Sequence, residues 1–286
     1  MKLLTALKLG RISNLPTVWT NVLAGSGLLS ITIDNRTMLM IAVAISFLYL
    51  AGMYLNDVFD LEWDRQHQID RPLVRGDARL SEVIWLNLVF LIAATIILLL
   101  AAEPKRMPIS LLGTTALIAC IVLYDWKHKT WGFSPWIMGA CRLLVYLMPA
   151  VIIGSWNLQL LIAALCLLGY IAGITYLARA EHMNSIQSYL PIALLFLPLA
   201  FVLYLGINNP IAYLLVAALA IWLIAAIKRL MPGKNRQIPQ AISALLAGIT
   251  LIDASILQSL QHYCLALFSL GAFVLCLVMQ RKIPAS

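Results

Sequence analysis

Charged residues are scarce in this sequence. Asp, Glu, Lys and Arg together make up 11% of its 286 residues, whereas hydrophobic residues make up 62%. A soluble domain is typically about one quarter charged and roughly half apolar. Too few polar side chains remain to cover a surface that faces water. The composition therefore excludes a soluble protein and predicts one whose outer surface meets lipid.

Paired cysteines and strand-like alternation are also missing. The five cysteines form no CxxC pair and fall inside or at the edges of apolar runs, which favours buried thiols over a metal site or disulfides. The apolar runs do not alternate every second residue, as the strands of a membrane β-barrel do. A spanning segment must bond its backbone polar groups within a helix or a closed barrel. Since the pattern of a barrel is missing, the sequence indicates a helical membrane protein.

The sequence does contain long apolar runs of the length that a spanning helix needs, about 17–25 residues. There are ten of them, at residues 14–31, 37–55, 82–101, 108–124, 134–154, 157–178, 189–207, 210–227, 238–258 and 263–280. We therefore predict an all-α polytopic membrane protein, a bundle of about nine to ten transmembrane helices that forms a single membrane domain over residues 1–286. The last two runs are the least secure as separate full spans.

The distribution of Lys and Arg predicts the orientation of the bundle. Sixteen of the twenty lie at one set of helix ends, three lie at the opposite ends (Arg36, Lys105 and Arg106), and Arg142 lies within a run. Because cytoplasmic loops carry an excess of Lys and Arg, we expect both termini in the cytoplasm. As a separate expectation, the membrane is a bacterial inner membrane. The net charge of +8 is then explained by topology and anionic lipid, without a nucleic acid partner.

The most informative segment is acidic and follows the second run: Asn56-Asp57-Val58-Phe59-Asp60-Leu61-Glu62-Trp63-Asp64. Asn56, Asp60 and Asp64 are spaced four residues apart, which places them on one face of a helix with Asp57 beside them. Such side chains suit Mg²⁺, which usually reaches a protein through one or two carboxylates and substrate phosphates. The alternative is a solvated acidic helix end. A metal site is favoured because ionisable residues on a helix leaving the membrane are costly and usually functional.

A loop with basic side chains follows the acidic segment. Pro72 ends helical geometry and Gly76 allows a turn, which keeps Arg71 close to the acidic face. An arginine beside Mg²⁺ and carboxylates suits a diphosphate, which a guanidinium can bind in a bidentate manner. The alternative interpretation, a positively charged loop residue on the cytoplasmic side, is the one that we give to Arg75 and Arg79.

Together these residues resemble the first signature of the UbiA-type intramembrane prenyltransferases. The signature reads Asn56-Asp57-x-x-Asp60-x-x-x-Asp64, followed by Asp70-Arg71-Pro72 and a glycine, and the resemblance continues at Arg11, Asn14, Pro16, Tyr124, Lys127, Gly139 and Arg142. It implies about nine helices around a lateral cavity. Mg²⁺ would hold an isoprenyl diphosphate at the cytoplasmic end, with the prenyl tail in the apolar interior. Loss of the diphosphate would give an allylic carbocation, which an aromatic or other lipophilic acceptor attacks.

The resemblance also implies roles for individual residues. The metal would be bound by Asn56, Asp57, Asp60 and Asp64; catalysis would use Asp60, Asp64, Lys127 and Tyr124; and substrate would be bound by Arg11, Asn14, Arg71, Arg142, Arg179 and Glu181. Lys127 (or Lys129) and Arg71 would clamp the leaving diphosphate. The ring of Tyr124 would stabilise a cation, although an interfacial anchor explains this tyrosine equally well.

The chain departs from the family pattern after the sixth run. A second acidic motif normally binds a second Mg²⁺ there, but residues 175–184 contain a single acid, Glu181, and the basic Arg179. Either Arg179 contacts the diphosphate and replaces part of the missing metal charge, or the two residues form a salt-bridged helix end. The stretch is similar to UbiA-like proteins called EboC, which would imply secondary metabolism and an unusual acceptor.

Two ionisable residues inside apolar runs leave alternatives open. Asp253 is either functional or a hydrogen-bonded structural acid, and Arg142 either faces the cavity or forms an interhelical pair. The complete first motif favours a Mg²⁺-dependent prenyltransferase. The incomplete second motif and Asp253 support the alternative, a non-catalytic protein that transports or handles a lipophilic metabolite precursor.

Overall fold

A computed structural model of the protein describes residues 1–29, 31, 33–179, 189–207, 209–230 and 237–283. Within these ranges the chain forms twelve α-helices and no β-strand. The helices are α1 (Leu3–Leu9), α2 (Leu15–Gly27), α3 (Asn35–His67), α4 (Leu80–Ala101), α5 (Met107–Lys127), α6 (Ser134–Ile153), α7 (Leu158–Arg179), α8 (Leu190–Leu194), α9 (Leu197–Leu205), α10 (Pro210–Lys228), α11 (Ile238–Ser259) and α12 (Tyr263–Gln280). The predicted all-α membrane bundle is confirmed.

Eight of the helices in the described ranges are long and apolar enough to cross a membrane: α3 to α7 and α10 to α12. Each of the ten predicted runs corresponds to a helix or, for run 189–207, to the pair α8 and α9. The expectation that the last two runs are the least secure spans is wrong, because α11 and α12 extend over 22 and 18 residues. The short segments are the first and seventh runs.

The two short segments have different physical causes. Helix α2 has only 13 residues, but nearly all of them are buried, so it lies inside the bundle and does not need to match the thickness of the lipid. The seventh run is divided because α8 ends at Leu194 and α9 begins at Leu197. Pro198 in the first turn of α9 has no backbone N–H to continue the preceding helix.

Helix α11 is at the centre of the bundle. It packs against α2, α7, α9, α10 and α12, and almost every side chain from Ile238 to Gln258 is buried. A second apolar core lies between α2, α3, α4, α5 and α6 around Val22, Ile45 and Val145. Helix α11 carries Thr250, Asp253 and Ser255, and polar side chains within a membrane are costly when they face lipid, which explains its position in the interior.

One end of the bundle collects most of its polar side chains. Helix α3 has 33 residues and is therefore about 50 Å long, well beyond the roughly 30 Å of bilayer hydrocarbon. Its extra turns carry Asn56 to Asp64 out of the apolar region. Residues near both ends of the chain, such as Lys8 and Lys282, line one cleft with Asp57 at this end.

The packing of α6 on α7 depends on Gly139. A methyl group at this position would lie 2.5 Å from the carbonyl oxygen of Leu168, so the backbones would have to separate. We expect Gly139→Ala to lower the free energy of unfolding by about 1–3 kcal/mol. The measurement is thermal unfolding in detergent. Gly271→Ala in α12 is the control, because nothing lies within 4 Å of the added atom. Equal unfolding midpoints for the two variants would contradict this interpretation.

Candidate functional site

The acidic face of α3 is largely buried. Asn56, Asp57 and Asp64 are each less than 7% exposed, and the side chain of Asp60 is 15% exposed. Asn56, Asp60 and Asp64 are spaced four residues apart, so they lie on one side of the helix, with Asp57 beside them. This side faces the ends of α1 and α5 and the loop after α3. Carboxylates buried so close to one another require cations nearby.

Arg11 supplies the first of these cations. Its guanidinium donates a hydrogen bond to Oδ1 of Asn56 at 3.2 Å and lies 3.6 Å from Oδ1 of Asp57. Its backbone has a left-handed conformation (φ 40°), which is unfavourable for a residue with a Cβ atom. The hydroxyl of Tyr49 donates to the carbonyl of Arg11 at 3.0 Å and holds this conformation in place. The turn between α1 and α2 therefore directs Arg11 at the acidic face.

Asn56 connects α3 to a fourth acid. Its Nδ2 donates to Oδ1 of Asp125 at 3.2 Å, and Asp125 is only 4% exposed in the last turns of α5. A chain of contacts thus runs from Arg11 through Asn56 to Asp125. Asp125 was not identified from the sequence. The available signal was a carboxylate in an otherwise apolar helix, which is costly and often functional.

The loop after α3 folds back onto the acidic face as predicted. Helix α3 ends at His67, and Gly76 adopts a left-handed conformation (φ 76°). Arg71 then lies 4.0 Å from an oxygen of Asp57 and 4.0 Å from an oxygen of Asp64. It is close enough to both carboxylates to balance their charge.

Asp60 is contacted by the loop between α5 and α6. Nζ of Lys129 lies 2.7 Å from Oδ1 of Asp60, and Nε2 of His128 lies 3.4 Å from Oδ2. The ammonium group of Lys129 also lies over the ring of Trp63, 3.9 Å from the ring centre. His128 was not identified from the sequence, because its role depends on how the loop folds.

Lys127 is placed elsewhere. Its ammonium group lies 3.9 Å from the ring centre of Trp126 and 5.7 Å from that of Trp131, and both rings are exposed. The structure therefore brings Lys129 to the acidic face and directs Lys127 to an aromatic surface.

Arg179 approaches the same loop from the end of α7. Its guanidinium donates to the backbone carbonyl of His128, and the hydroxyl of Tyr176 donates to the carbonyl of Gly132 at 3.2 Å. Arg179 thus supports the segment that carries His128 and Lys129. Glu181 lies outside the described residues.

An apolar cavity begins beside Asp125. It has about 570 Å³ of empty space, part of it open to the outside, and is lined mainly by apolar side chains of α2, α3, α5 and α6. Tyr124 lines it and stacks on the ring of His128, with ring centres 5.3 Å apart. The cavity therefore extends from the acidic cluster into the interior of the bundle, and its walls are mainly apolar.

Arg142 lines this cavity deeper in the bundle. It donates to Oδ1 of Asn21 at 3.0 Å, and its guanidinium lies 5.9 Å from the ring centre of Tyr49. Asn21 in turn donates to Asp253 at 2.8 Å. Arg142 thus faces the cavity and also takes part in an interhelical network.

Asp253 is fully buried and accepts three hydrogen bonds. Its donors are Thr20, Asn21 and Tyr146, from α2 and α6. This environment favours the interpretation of Asp253 as a structural acid that joins α11 to the bundle. Asn14, at the start of α2, is also buried and accepts a hydrogen bond from Gln280 at 3.4 Å.

Two carboxylate oxygens at the site have no hydrogen-bond donor within the described parts of the chain. They are Oδ1 of Asp57 and Oδ2 of Asp125, both buried. In those parts no three His, Cys, Asp or Glu side chains form a closed metal-binding group. Buried acceptors without donors fit a cation that also takes ligands from a substrate, because Mg²⁺ rarely uses a cage made of protein alone.

The sequence matches a known family over most of its length. The model of the UbiA prenyltransferase family matches residues 13–249. A protein of Thermococcus gammatolerans named digeranylgeranylglyceryl phosphate synthase is 30% identical over 100 residues, 35% of this chain and 34% of the relative. The matched stretch thus spans about a third of that relative.

Solved structures show the same fold. A UbiA homologue from Aeropyrum pernix K1 has a TM-score of 0.64 at 18% identity, covering 87% of this chain and 97% of the homologue. A UbiA homologue from Archaeoglobus fulgidus, solved with GPP and Mg²⁺, has a TM-score of 0.65 at 14% identity, covering 94% of this chain and 99% of the homologue. At these identities the structures support the fold alone.

The structural interpretation of Asp253 predicts a large stability effect. Asp253→Leu would leave the buried donors of Asn21 and Tyr146 without this acceptor, and Thr20 with only the carbonyl of Thr17, so we expect the free energy of unfolding to fall by about 3 kcal/mol or more. Tyr146→Phe removes one of these donors, and we expect it to cost about 1 kcal/mol. Thermal unfolding in detergent measures both. A midpoint for Asp253→Leu equal to that of the unmodified protein would show that the network does not stabilise the fold.

Proposed function

The chain belongs to the UbiA prenyltransferase family, and from this premise we propose that it transfers a prenyl group from an isoprenyl diphosphate to a lipophilic or aromatic acceptor. One observation carries the proposal. Asp125 lines the apolar cavity, and through its hydrogen bond from Asn56 it is joined to the buried face of α3 that carries Asp57, Asp60 and Asp64. A diphosphate with an apolar tail has the matching distribution of charge and hydrophobic surface.

The acidic face would hold the diphosphate through Mg²⁺. The ligands would come from Asp57, Asp60 and Asp64, with Asn56 beside them, and the buried oxygen of Asp57 without a donor fits this role. When bound, Mg²⁺ would neutralise negative charge on the leaving diphosphate. The family resemblance and the hardness of the oxygen ligands both favour Mg²⁺.

The basic side chains would bind the remaining diphosphate oxygens. Arg11, Arg71 and Lys129 contact the carboxylates and are close enough to exchange them for a substrate phosphate. In the reaction, the bond between the prenyl carbon and the diphosphate oxygen breaks, and its electron pair leaves with the diphosphate. The acceptor then forms a bond to that carbon and loses a proton. These cations would stabilise the leaving group more than the bound substrate.

The remaining parts of the site would position the tail and the loop. The tail would lie in the cavity lined by Tyr124, whose ring could face the developing cation. Arg179 would hold in place the loop that carries Lys129. This role is consistent with a site in which only the first of the two acidic motifs is complete. Arg142 lines the deeper part of the cavity and would contact any part of a substrate that extends that far.

We also propose the wider setting of this activity. Residues 1–286 would act as one membrane domain, because the site takes side chains from α1, α3, α5, α7 and their loops. The excess of Lys and Arg at this end would place the site and both termini in the cytoplasm, in a bacterial inner membrane. The similarity of residues 175–184 to EboC supports a role in secondary metabolism.

Binding of geranyl diphosphate to purified protein in nanodiscs tests the donor site. We expect binding that depends on Mg²⁺ and is weakened about 100-fold or more in the double variant Asp60→Asn with Asp64→Asn, because two charged ligands are lost. Isothermal titration calorimetry with and without Mg²⁺ measures it.

Glu62→Gln is the matched control for the double variant. Glu62 is on the same helix, but its side chain is 83% exposed and pairs with Arg65. We expect its affinity for geranyl diphosphate to equal that of the unmodified protein. Binding indifferent to both the metal and the two aspartates would rule out the donor site and favour transport or handling of a lipophilic precursor.

The placement of the two lysines makes a second prediction. Lys129→Gln removes the cation beside Asp60, so we expect it to lower the affinity for geranyl diphosphate about tenfold. Lys127→Gln changes a lysine that packs on Trp126, so its effect is expected to be clearly smaller. The same calorimetric titration compares them. A larger loss for Lys127→Gln would contradict the assignment of Lys129 to the donor site.

A further inference from the structure

Two charged residues line the apolar cavity in the described parts of the chain: Asp125 at its mouth and Arg142 deeper inside. Every other residue along its walls is uncharged. A guanidinium inside the membrane-spanning part of a protein is costly, and such residues usually have a functional role. The position of Arg142 in this wall therefore calls for an explanation beyond the packing of helices.

The depth of Arg142 follows from its contact with Tyr49. The guanidinium lies 5.9 Å from the ring centre of Tyr49. Tyr49 precedes Asn56 by two turns of α3, which is about 10 Å along the helix. The cavity continues about one turn farther, since Ile45 on α3 and Val145 on α6 also line it. The guanidinium thus lies in the wall between the mouth of the cavity and its deep end.

The surrounding helices hold Arg142 in this position. Its guanidinium donates to Oδ1 of Asn21 at 3.0 Å, and Asn21 is fully buried and donates to Asp253 at 2.8 Å. Next to this contact α2 and α6 are in backbone contact, because there is no room for a Cβ atom between Gly25 and the carbonyl oxygen of Tyr146. The side chain is therefore not free to turn away from a molecule that enters the cavity.

Most hydrogen-bond donors of this guanidinium have no acceptor within the described ranges. Asn21 takes one of the five N–H groups that an arginine carries, and no described carboxylate lies within 4.0 Å. Hydrocarbon that displaces water from such a cation removes hydrogen bonds and supplies none in return. A prenyl tail would therefore gain from the apolar wall up to Arg142 and lose where it passes the guanidinium.

We propose that Arg142 is a specificity-determining residue, which favours prenyl donors whose tails end before the guanidinium over donors with longer tails. This inference rests on the proposed function and names the class of donor, a short-chain isoprenyl diphosphate such as geranyl diphosphate. The tail of geranylgeranyl diphosphate is twice as long and would pass Arg142 toward Ile45 and Val145. The selection arises from the charge of one side chain and not from the width of the cavity.

The preference between these two donors tests the role of Arg142. Each donor would be titrated by calorimetry into the protein in nanodiscs with excess Mg²⁺. We expect Arg142→Met to raise the affinity for geranylgeranyl diphosphate relative to geranyl diphosphate about tenfold, because the tail no longer displaces water from a cation. Partitioning of the longer donor into lipid is the same for every variant, so it cancels from the comparison.

Two further variants separate the charge from other effects of the substitution. Arg142→Lys keeps a cation in a smaller side chain, so we expect its relative affinity to stay near that of the unmodified protein. Arg36→Met is the matched control for the loss of an arginine, because Arg36 is exposed at the opposite end of α3, and we expect no change in relative affinity. If Arg142→Met does not fold, Arg142→Gln, which can still donate to Asn21, takes its place and is read in the same way.

Three results would overturn the proposal. One is an unchanged relative affinity in Arg142→Met, and another is an equal rise in Arg142→Met and Arg142→Lys, which would show that space and not charge sets the preference. The third is weaker binding of both donors in Arg142→Met, because the guanidinium would then bind a polar group of the substrate.

The donor site itself is tested separately, by Mg²⁺-dependent binding of geranyl diphosphate to the unmodified protein. If that binding is absent, the proposed function fails. If it is present and the relative affinity does not respond to Arg142→Met, the role of Arg142 alone is wrong.

Discussion

Mutual repulsion among Asp57, Asp60, Asp64 and Asp125 is the constraint on which this end of the protein depends. Buried carboxylates are tolerated only when cations and hydrogen-bond donors compensate for their loss of water. The compensation comes from Arg11 before α2, from Arg71 in the loop after α3, and from the loop after α5. Segments far apart in sequence are therefore held at one end of the bundle by the charges that they must balance.

A different polar cluster holds the middle of the bundle together. Asp253 on α11 accepts hydrogen bonds from α2 and α6, and Arg142 joins it through Asn21. Within lipid, such bonds have no competing water, and the apolar surfaces around them provide little specificity. The cluster fixes how α2, α6 and α11 are aligned, and with them the walls of the apolar cavity.

Local sequence patterns predicted some of these features and not others. The length and hydrophobicity of the runs predicted the helices, since a spanning helix is defined by its own sequence. The acidic face of α3 and the return of Arg71 followed from helical spacing, Pro72 and Gly76. The contact of Asp60 with Lys129, rather than with Lys127, could not be predicted, because Lys127 is the last residue of α5 and Lys129 lies in the loop that follows, where no regular period sets the direction of a side chain. The presence of Asp125 at the site depends in the same way on how α5 packs against α3, which no local pattern shows. The short length of α2 could not be predicted either. Its burial inside the bundle allows it to be short, whereas hydropathy alone predicts a full span at this position.

The position of α11 has a consequence for the synthesis of the chain. The helices are synthesised in order, so Thr20, Asn21 and Tyr146 leave the ribosome well before Asp253, which is more than one hundred residues after Tyr146. Until α11 arrives, the centre of the bundle has no helix to fill it, and these donors lack their acceptor. The early helices must therefore remain loosely assembled during translation, and the last stage of membrane insertion closes the protein around its own interior.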